Sequence, residues 1–243
     1  MKNFLVINIV AFVLLSIVSI AEAKYGPYLS LDLEGNSRRV EENCIQCIDP
    51  NSGLPALKFY GNGDSTRLLA RLGMDLRPLD IYLTFGGSTL TVNEFDGYHG
   101  QFAPTFGGGI KIKMYESSSY EHFNIFINPD IIYFKSSDTI QFISQSLGVI
   151  TESHDVSWTE YGVKVGGSAR YDIMEPYAGI SVSFLDGVES GPVFGTADFK
   201  ERDNLGFFLG ANYYFDPTGQ ASLYGEIGGG DNGYIKVGIK TRF

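Results

Sequence analysis

Cys44 and Cys47, three residues apart, are the chain's two cysteines and the first group that could do chemistry. Their C-x-x-C spacing reads as a local disulfide that staples its loop in an oxidising compartment. A thiol-redox pair calls for a thioredoxin-like βαβ setting, and zinc calls for two more ligands. The residue after Cys47 is Ile48, so the haem pattern is not met. Metal and redox roles remain the lesser alternatives. Asp96 with His99, and His154 with Asp155, are the candidate acid–base pairs. The acidic groups Glu41 and Glu42, and Asp198, Glu201 and Asp203, are expected on loops that face water or divalent cations; they could hold calcium weakly, but no D-x-[DN]-x-[DN]-G loop is present. The richest chemistry is a set of charges of both signs that recurs every second residue along the chain.

That spacing is the period of a β-strand. Ten segments show it, at 25–34, 66–77, 79–87, 104–115, 120–134, 158–172, 175–186, 204–215, 219–228 and 233–243. Each is close to the roughly 9 to 11 residues that a tilted membrane strand needs. Short turns such as Asp216-Pro-Thr-Gly219 alternate with longer polar stretches at 35–65, 88–103, 135–157 and 187–203, with a short last hairpin at 229–233. Residues 139–143 and 148–151 are expected to extend the fifth and sixth strands into a tall hairpin. Pro129 falls inside the fifth segment and predicts a bulge or a strand end, since proline cannot donate to the ladder.

Leu68, Ala70, Leu72, Met74 and Leu76 share one face of the second segment, opposite Arg71 and Asp75, and the same split recurs downstream. Turning the polar faces inward collects Asp32, Glu34, Arg71, Asp75, Arg77, Asp80, Lys111, Lys113, Glu160, Lys164, Arg170, Asp172, Glu226, Lys236, Lys240 and Arg242 in one lumen. Buried charges are tolerable only if paired or wet, so the lumen is either an ion-pair plug or a narrow water-filled pore. Tyr171, Tyr213, Phe215 and Phe243 beside the short turns, and Trp158 toward the other end, suggest interfacial aromatic girdles. A soluble β-sandwich is the rival architecture.

Met1 to Asn3, an apolar run to Ile20 and the A-x-A of Ala21-Glu22-Ala23 read as a cleaved signal peptide, leaving 24–243 as one domain. A net charge of -10 argues against nucleic acid as a partner.

The last segment, 233–243, places Ile235, Val237, Ile239 and Phe243 on one face and Lys236, Lys240 and Arg242 on the other. It resembles the C-terminal insertion signal of bacterial outer-membrane β-barrels in Lys236, Gly238 and Phe243, with Thr241 where an aromatic is more usual. With the signal peptide, the strands and the alternating loop lengths, the chain resembles small outer-membrane barrels of the outer-membrane protein A and opacity type. The resemblance is one of architecture. It implies an all-β, antiparallel, up-and-down transmembrane β-barrel of about ten strands, with eight or twelve as alternatives, and both termini on the periplasmic side.

It also implies contact with outer-membrane lipid, lipopolysaccharide and the barrel-insertion machinery. The Asp-x-His and aspartate pairs of the outer-membrane barrel proteases are absent, as is the His-x-Ser of barrel lipid-A deacylases, so both histidine pairs read as solvated loop residues. The expected function is a non-enzymatic barrel without cofactor or metal, its lumen largely plugged by charge and its loops serving envelope stability or a surface partner. A small porin-like channel is the first alternative and a barrel protease or lipid-modifying enzyme the second. The last strand should close the ring against residues 25–34, bringing Lys236 and Lys240 toward Asp32 and Glu34.

Overall fold

The computed structural model describes residues 26–43, 59–76, 78–93, 98–117, 123–144, 148–191, 195–202, 204–230 and 232–243. The signal-peptide segment, Cys44, Cys47 and Arg77 lie outside them. Among the described residues eleven antiparallel strands form one ring. They are β1 (Gly26–Asn43), β2 (Phe59–Asp75), β3 (Leu79–Val92), β4 (Tyr98–Glu116), β5 (Asn124–Ser144), β6 (Gly148–Ser168), β7 (Met174–Gly191), β8 (Gly195–Glu201), β9 (Leu205–Tyr214), β10 (Ala221–Gly230) and β11 (Asn232–Arg242).

The ring has two sections. Near the short turns β7 pairs with β9, and β11 closes on β1 from Tyr28↔Arg242 to Arg38↔Asn232, as expected, giving a ring of ten strands. The β10–β11 hairpin is short, so this register runs out partway up. Above it the chain path β9–β8 supplies the wall instead: β8 pairs with the upper part of β7 and directly with β1, from Val40↔Glu201 to Asn43↔Asp198. The upper ring therefore has eight strands, β1 to β8. Gly26 and Phe243 both lie at the short-turn end, where the Phe243 amide donates to the Pro27 carbonyl at 3.0 Å.

The strands run well past the expected boundaries, through much of 35–65, 88–103, 135–157 and 187–203. The taller β5–β6 hairpin was expected; the others were not. The reason is a reversal of faces. In the lower section apolar residues point outward, such as Leu33, Leu68, Leu83, Phe106, Ile131 and Ile235, all exposed. Higher up the outward positions become polar, as at Arg39, Asp64, Lys135 and Asp186, while the inward ones become apolar. An apolar outer face that simply stops looks like the end of a strand, although the alternation continues with its sign reversed.

Pro129 does not end β5. It pairs across to Val163 of β6, while the paired residues on the β4 side skip from Gly109↔Asp130 to Ile112↔Ile127. The register shift falls further along, between Lys113 and Tyr115. The missing donor thus costs a local gap in one ladder, and the extra residue is absorbed near the turn, where bulges are favoured.

Candidate functional site: the barrel interior

The inward positions of the ten-stranded section enclose a cavity of about 890 Å³ whose lining reaches the short turns at Asp172 and Pro217. Many of its charges are paired, Asp32 with residues of the neighbouring strands β2 and β11 and the others across one or two intervening strands. Asp32 receives Arg71 at 2.9 Å and Lys236 at 3.4 Å, and also accepts the Tyr224 hydroxyl. Asp75 faces Lys113 at 3.7 Å and Arg242 at 3.6 Å, Lys164 meets Glu226 at 2.6 Å, and Lys240 meets Asp80 at 3.6 Å. Tyrosines complete the acceptors: Tyr28 donates to Asp80 at 2.8 Å and Tyr234 to Glu226 at 2.7 Å. Several cations also rest on rings, Lys240 at 3.4 Å from the Tyr28 centroid and Arg71 at 5.1 Å from that of Tyr82. Gly238 leaves room for these side chains. A Cβ at that position would lie 2.6 Å from the Tyr224 ring and 2.7 Å from the Asp32 carboxylate.

Above the cavity the interior closes in two layers. The first is a cluster centred on Glu160. Its carboxylate accepts from both Arg67 nitrogens, one of them at 3.0 Å, from Arg38 at 2.9 Å and from the Trp158 indole at 2.7 Å. Arg67 also reaches Glu34 at 3.2 Å, and Arg38 reaches Glu201 at 2.8 Å and Ser183 at 3.1 Å. Two arginines against three carboxylates, with hydrogen bonds to most of them, is the arrangement that makes burial of charge tolerable. The second layer is apolar: Val40, Leu69, Leu90, Phe134, Trp158 and Phe199 are almost wholly buried inside the eight-stranded section. Burying side chains of this size contributes roughly 1.5 to 3 kcal/mol each. That section is thus built like a soluble barrel, oily within and polar without, standing on a lower section with the opposite arrangement.

The described members of the expected luminal set face the interior or its mouth. Asp32, Glu34, Arg71, Asp75, Asp80, Lys111, Lys113, Lys164, Glu226, Lys236, Lys240 and Arg242 belong to the paired lower section or border it, and Glu160 anchors the seal. Arg170 sits at the mouth, 4.1 Å over the Tyr214 ring, and its guanidinium donates to the Asp172 carbonyl at 3.0 Å. Lys236 meets Asp32 as expected across the closing seam, but Lys240 reaches past β1 and β2 to Asp80 of β3.

Trp158 is no girdle residue. It shares the parity of Glu160 and is 1% exposed inside the barrel. His154 is no solvated loop residue either; it is buried in the upper interior with Nδ1 2.8 Å from Glu189. Asp155, next in sequence, points outward to Lys135 at 2.8 Å, and hydrogen bonds from Lys135 and then Ser137 hold its carboxyl below the usual range. His99 is exposed, its amide donating to Asp138 at 2.7 Å. Glu201, expected on a watery loop, turns inward to Arg38.

Arg38, Arg67, Asp130 and Glu175 are luminal residues that the sequence reading did not single out. Arg67 lies within the second segment on the parity of Arg71, Asp130 and Glu175 also fall within strand segments, and Arg38 continues the inward series of Asp32 and Glu34. Carrying the parity through each segment and beyond its apolar stretch would have found all four.

No protein family matches the sequence, and no curated protein does. Among solved structures the chain is similar to the outer membrane protease OmpT from Escherichia coli, at 11% identity and a TM-score of 0.53, over 93% of this chain and 99% of that one. The translocator domain of the autotransporter NalP from Neisseria meningitidis aligns over 100% of this chain and 98% of that one, at 11% identity and a TM-score of 0.48. The transport unit of the autotransporter AIDA-I from Escherichia coli aligns over 93% of each chain, at 11% identity and a TM-score of 0.43. With a closed antiparallel ring, an outward apolar band and a polar lumen, the chain has the fold of the outer-membrane β-barrels.

Proposed function

We propose that this protein is a non-enzymatic barrel of the bacterial outer membrane, sealed against transport, that carries a rigid eight-stranded head above the bilayer for envelope stability or contact with a surface partner. The observation that carries the reading is the reversal of faces. The outward apolar band of the ten-stranded section suits lipid, the polar exterior of the upper section suits water, and the oily core within that upper section stands across the path a solute would take. The short-turn end, with both described ends of the barrel, then faces the periplasm. The two candidate histidines lend no support to an enzyme, since His99 lies outside the wall and His154 within it.

Planar-bilayer recording of the refolded protein tests the seal: no steady conductance is expected. Reproducible conductance whose ion preference shifts when Lys111, Lys164 and Lys236 are changed to alanine would instead establish the porin-like alternative.

A further inference from the structure

The outward apolar band is not the same all round the lower ring. From β3 to β7 its upper edge carries exposed aromatics, among them Phe85, Phe106, Tyr133 and Phe184, and from the β6–β7 turn to the end of β9 its lower edge carries Tyr171, Tyr213 and Phe215. β10, β11, β1 and β2 are consecutive in the ring, and among the described residues their outward side within the band is aliphatic, as at Leu33, Leu68, Leu72, Ile227, Ile235 and Ile239. Tyr28, Tyr224 and Tyr234 of these strands line the interior instead. Tyr60 belongs to the upper section, and Phe243 at the foot of β11 is only partly exposed. Aromatic side chains are favoured at the level of lipid headgroups, so a face without them is matched to something else.

The relief of this face suits protein. Within a bilayer, apolar contact alone does not draw two surfaces together; close packing does, and small residues permit it. On β10, Gly225 stands between Val237 of β11 and Ala211 of β9, and a Cβ there would find only the Lys236 carbonyl, 4.0 Å away. On β1, a Cβ at Gly35 would meet only Ile235, at 3.7 Å. At the other edge of the face, Leu68 and Leu72 of β2 form a ridge, each more than half exposed. A two-fold axis along the membrane normal would set the β10 hollow of one copy against the β2 ridge of the other, and would keep both heads on the same side of the bilayer. The band is about 25 Å tall, and four tilted strands about 4.8 Å apart make the face roughly 600 Å² on each copy. Two such faces reach the roughly 1,200 Å² at which specific interfaces begin.

We propose that the face formed by β10, β11, β1 and β2 is the interface with a second copy of this chain, the two barrels lying side by side with closing seam against closing seam. The wall steps inward above the β10–β11 hairpin, so the wider ten-stranded sections meet first. The pairing needs only that the apolar band lie in a bilayer; it is independent of whether the lumen conducts.

Sedimentation equilibrium of the folded full chain in density-matched detergent micelles tests it. The wild type should be a reversible dimer. Gly225→Trp fills the hollow and should weaken the dimer at least about tenfold, whereas Ala178→Trp, the same change on the outward face of β7, should leave it intact. Heat-modifiable migration confirms that each variant is folded. A wild type that is monomeric at every protein-to-detergent ratio overturns the proposal without recourse to any variant, and means that lipid covers this face. Equal weakening by both tryptophans, or by neither, also overturns it, because the contact would then lie elsewhere on the band.

Discussion

Glu160 is the residue on which the seal turns, because it accepts from Arg38, Arg67 and Trp158 at once. Glu160→Gln leaves two buried guanidinium groups with only Glu34 and Glu201 to share. Breaking such a buried network typically costs about 3 to 5 kcal/mol, and urea unfolding of the variant in detergent or lipid should show a loss of that order. Asp216 offers a pH test outside the membrane. Burial pushes its carboxyl up, but hydrogen bonds from Thr218 and from the amides of Ala221, Gln220 and Gly219 outweigh this and hold it below the usual range. A depressed carboxyl contributes stability that is complete above its unfolded value of about 3.9 and is lost as pH falls through the lower folded value. The difference in unfolding midpoint between wild type and Asp216→Asn should therefore be present at pH 7 and shrink progressively on acidification below pH 4. A pH-independent difference would remove the charged carboxylate from the account of this turn.

At the scale of elements, the β1–β11 seam closes the lower ring, and Asp32 is its electrostatic centre. Asp32→Lys would set three cations together with Arg71 and Lys236, and the compact, heat-modifiable form should be lost from gels. Lys236→Asp should restore it. Lys240→Asp should not, because Lys240 is held by Asp80 rather than by Asp32. Equal rescue by both would mean that the seam responds to total charge and not to the observed pairing. The short β10–β11 hairpin has a different consequence: by ending early it forces β8 onto β1 and narrows the ring from ten strands to eight, which brings the inward side chains close enough to pack without a pore.

For the whole molecule, the reversal of inside and outside places the single tryptophan away from lipid. Trp158 should be quenched weakly by brominated lipids and by aqueous iodide alike, with blue-shifted emission. Strong quenching by brominated lipids would return it to the interfacial girdle and open the seal. Tyr171, Tyr213 and Phe215, exposed near the short turns, fit the girdle role expected of them.

The alternation of residue types by itself determined that the chain is built of β-strands and which face Lys164, Glu226 and Lys236 take. These depend on the period of two, a local property of the backbone. Only the tertiary structure decided that the strands close into a ring, the last against the first, that they continue above the apolar band, that Lys240 seeks Asp80, and that Trp158 and His154 are interior. Those outcomes depend on strand tilt and stagger and on which solvent surrounds each level of the wall. A polar residue can point to water outside the head or into the lumen below it, and parity alone does not say where along the barrel the two exchange.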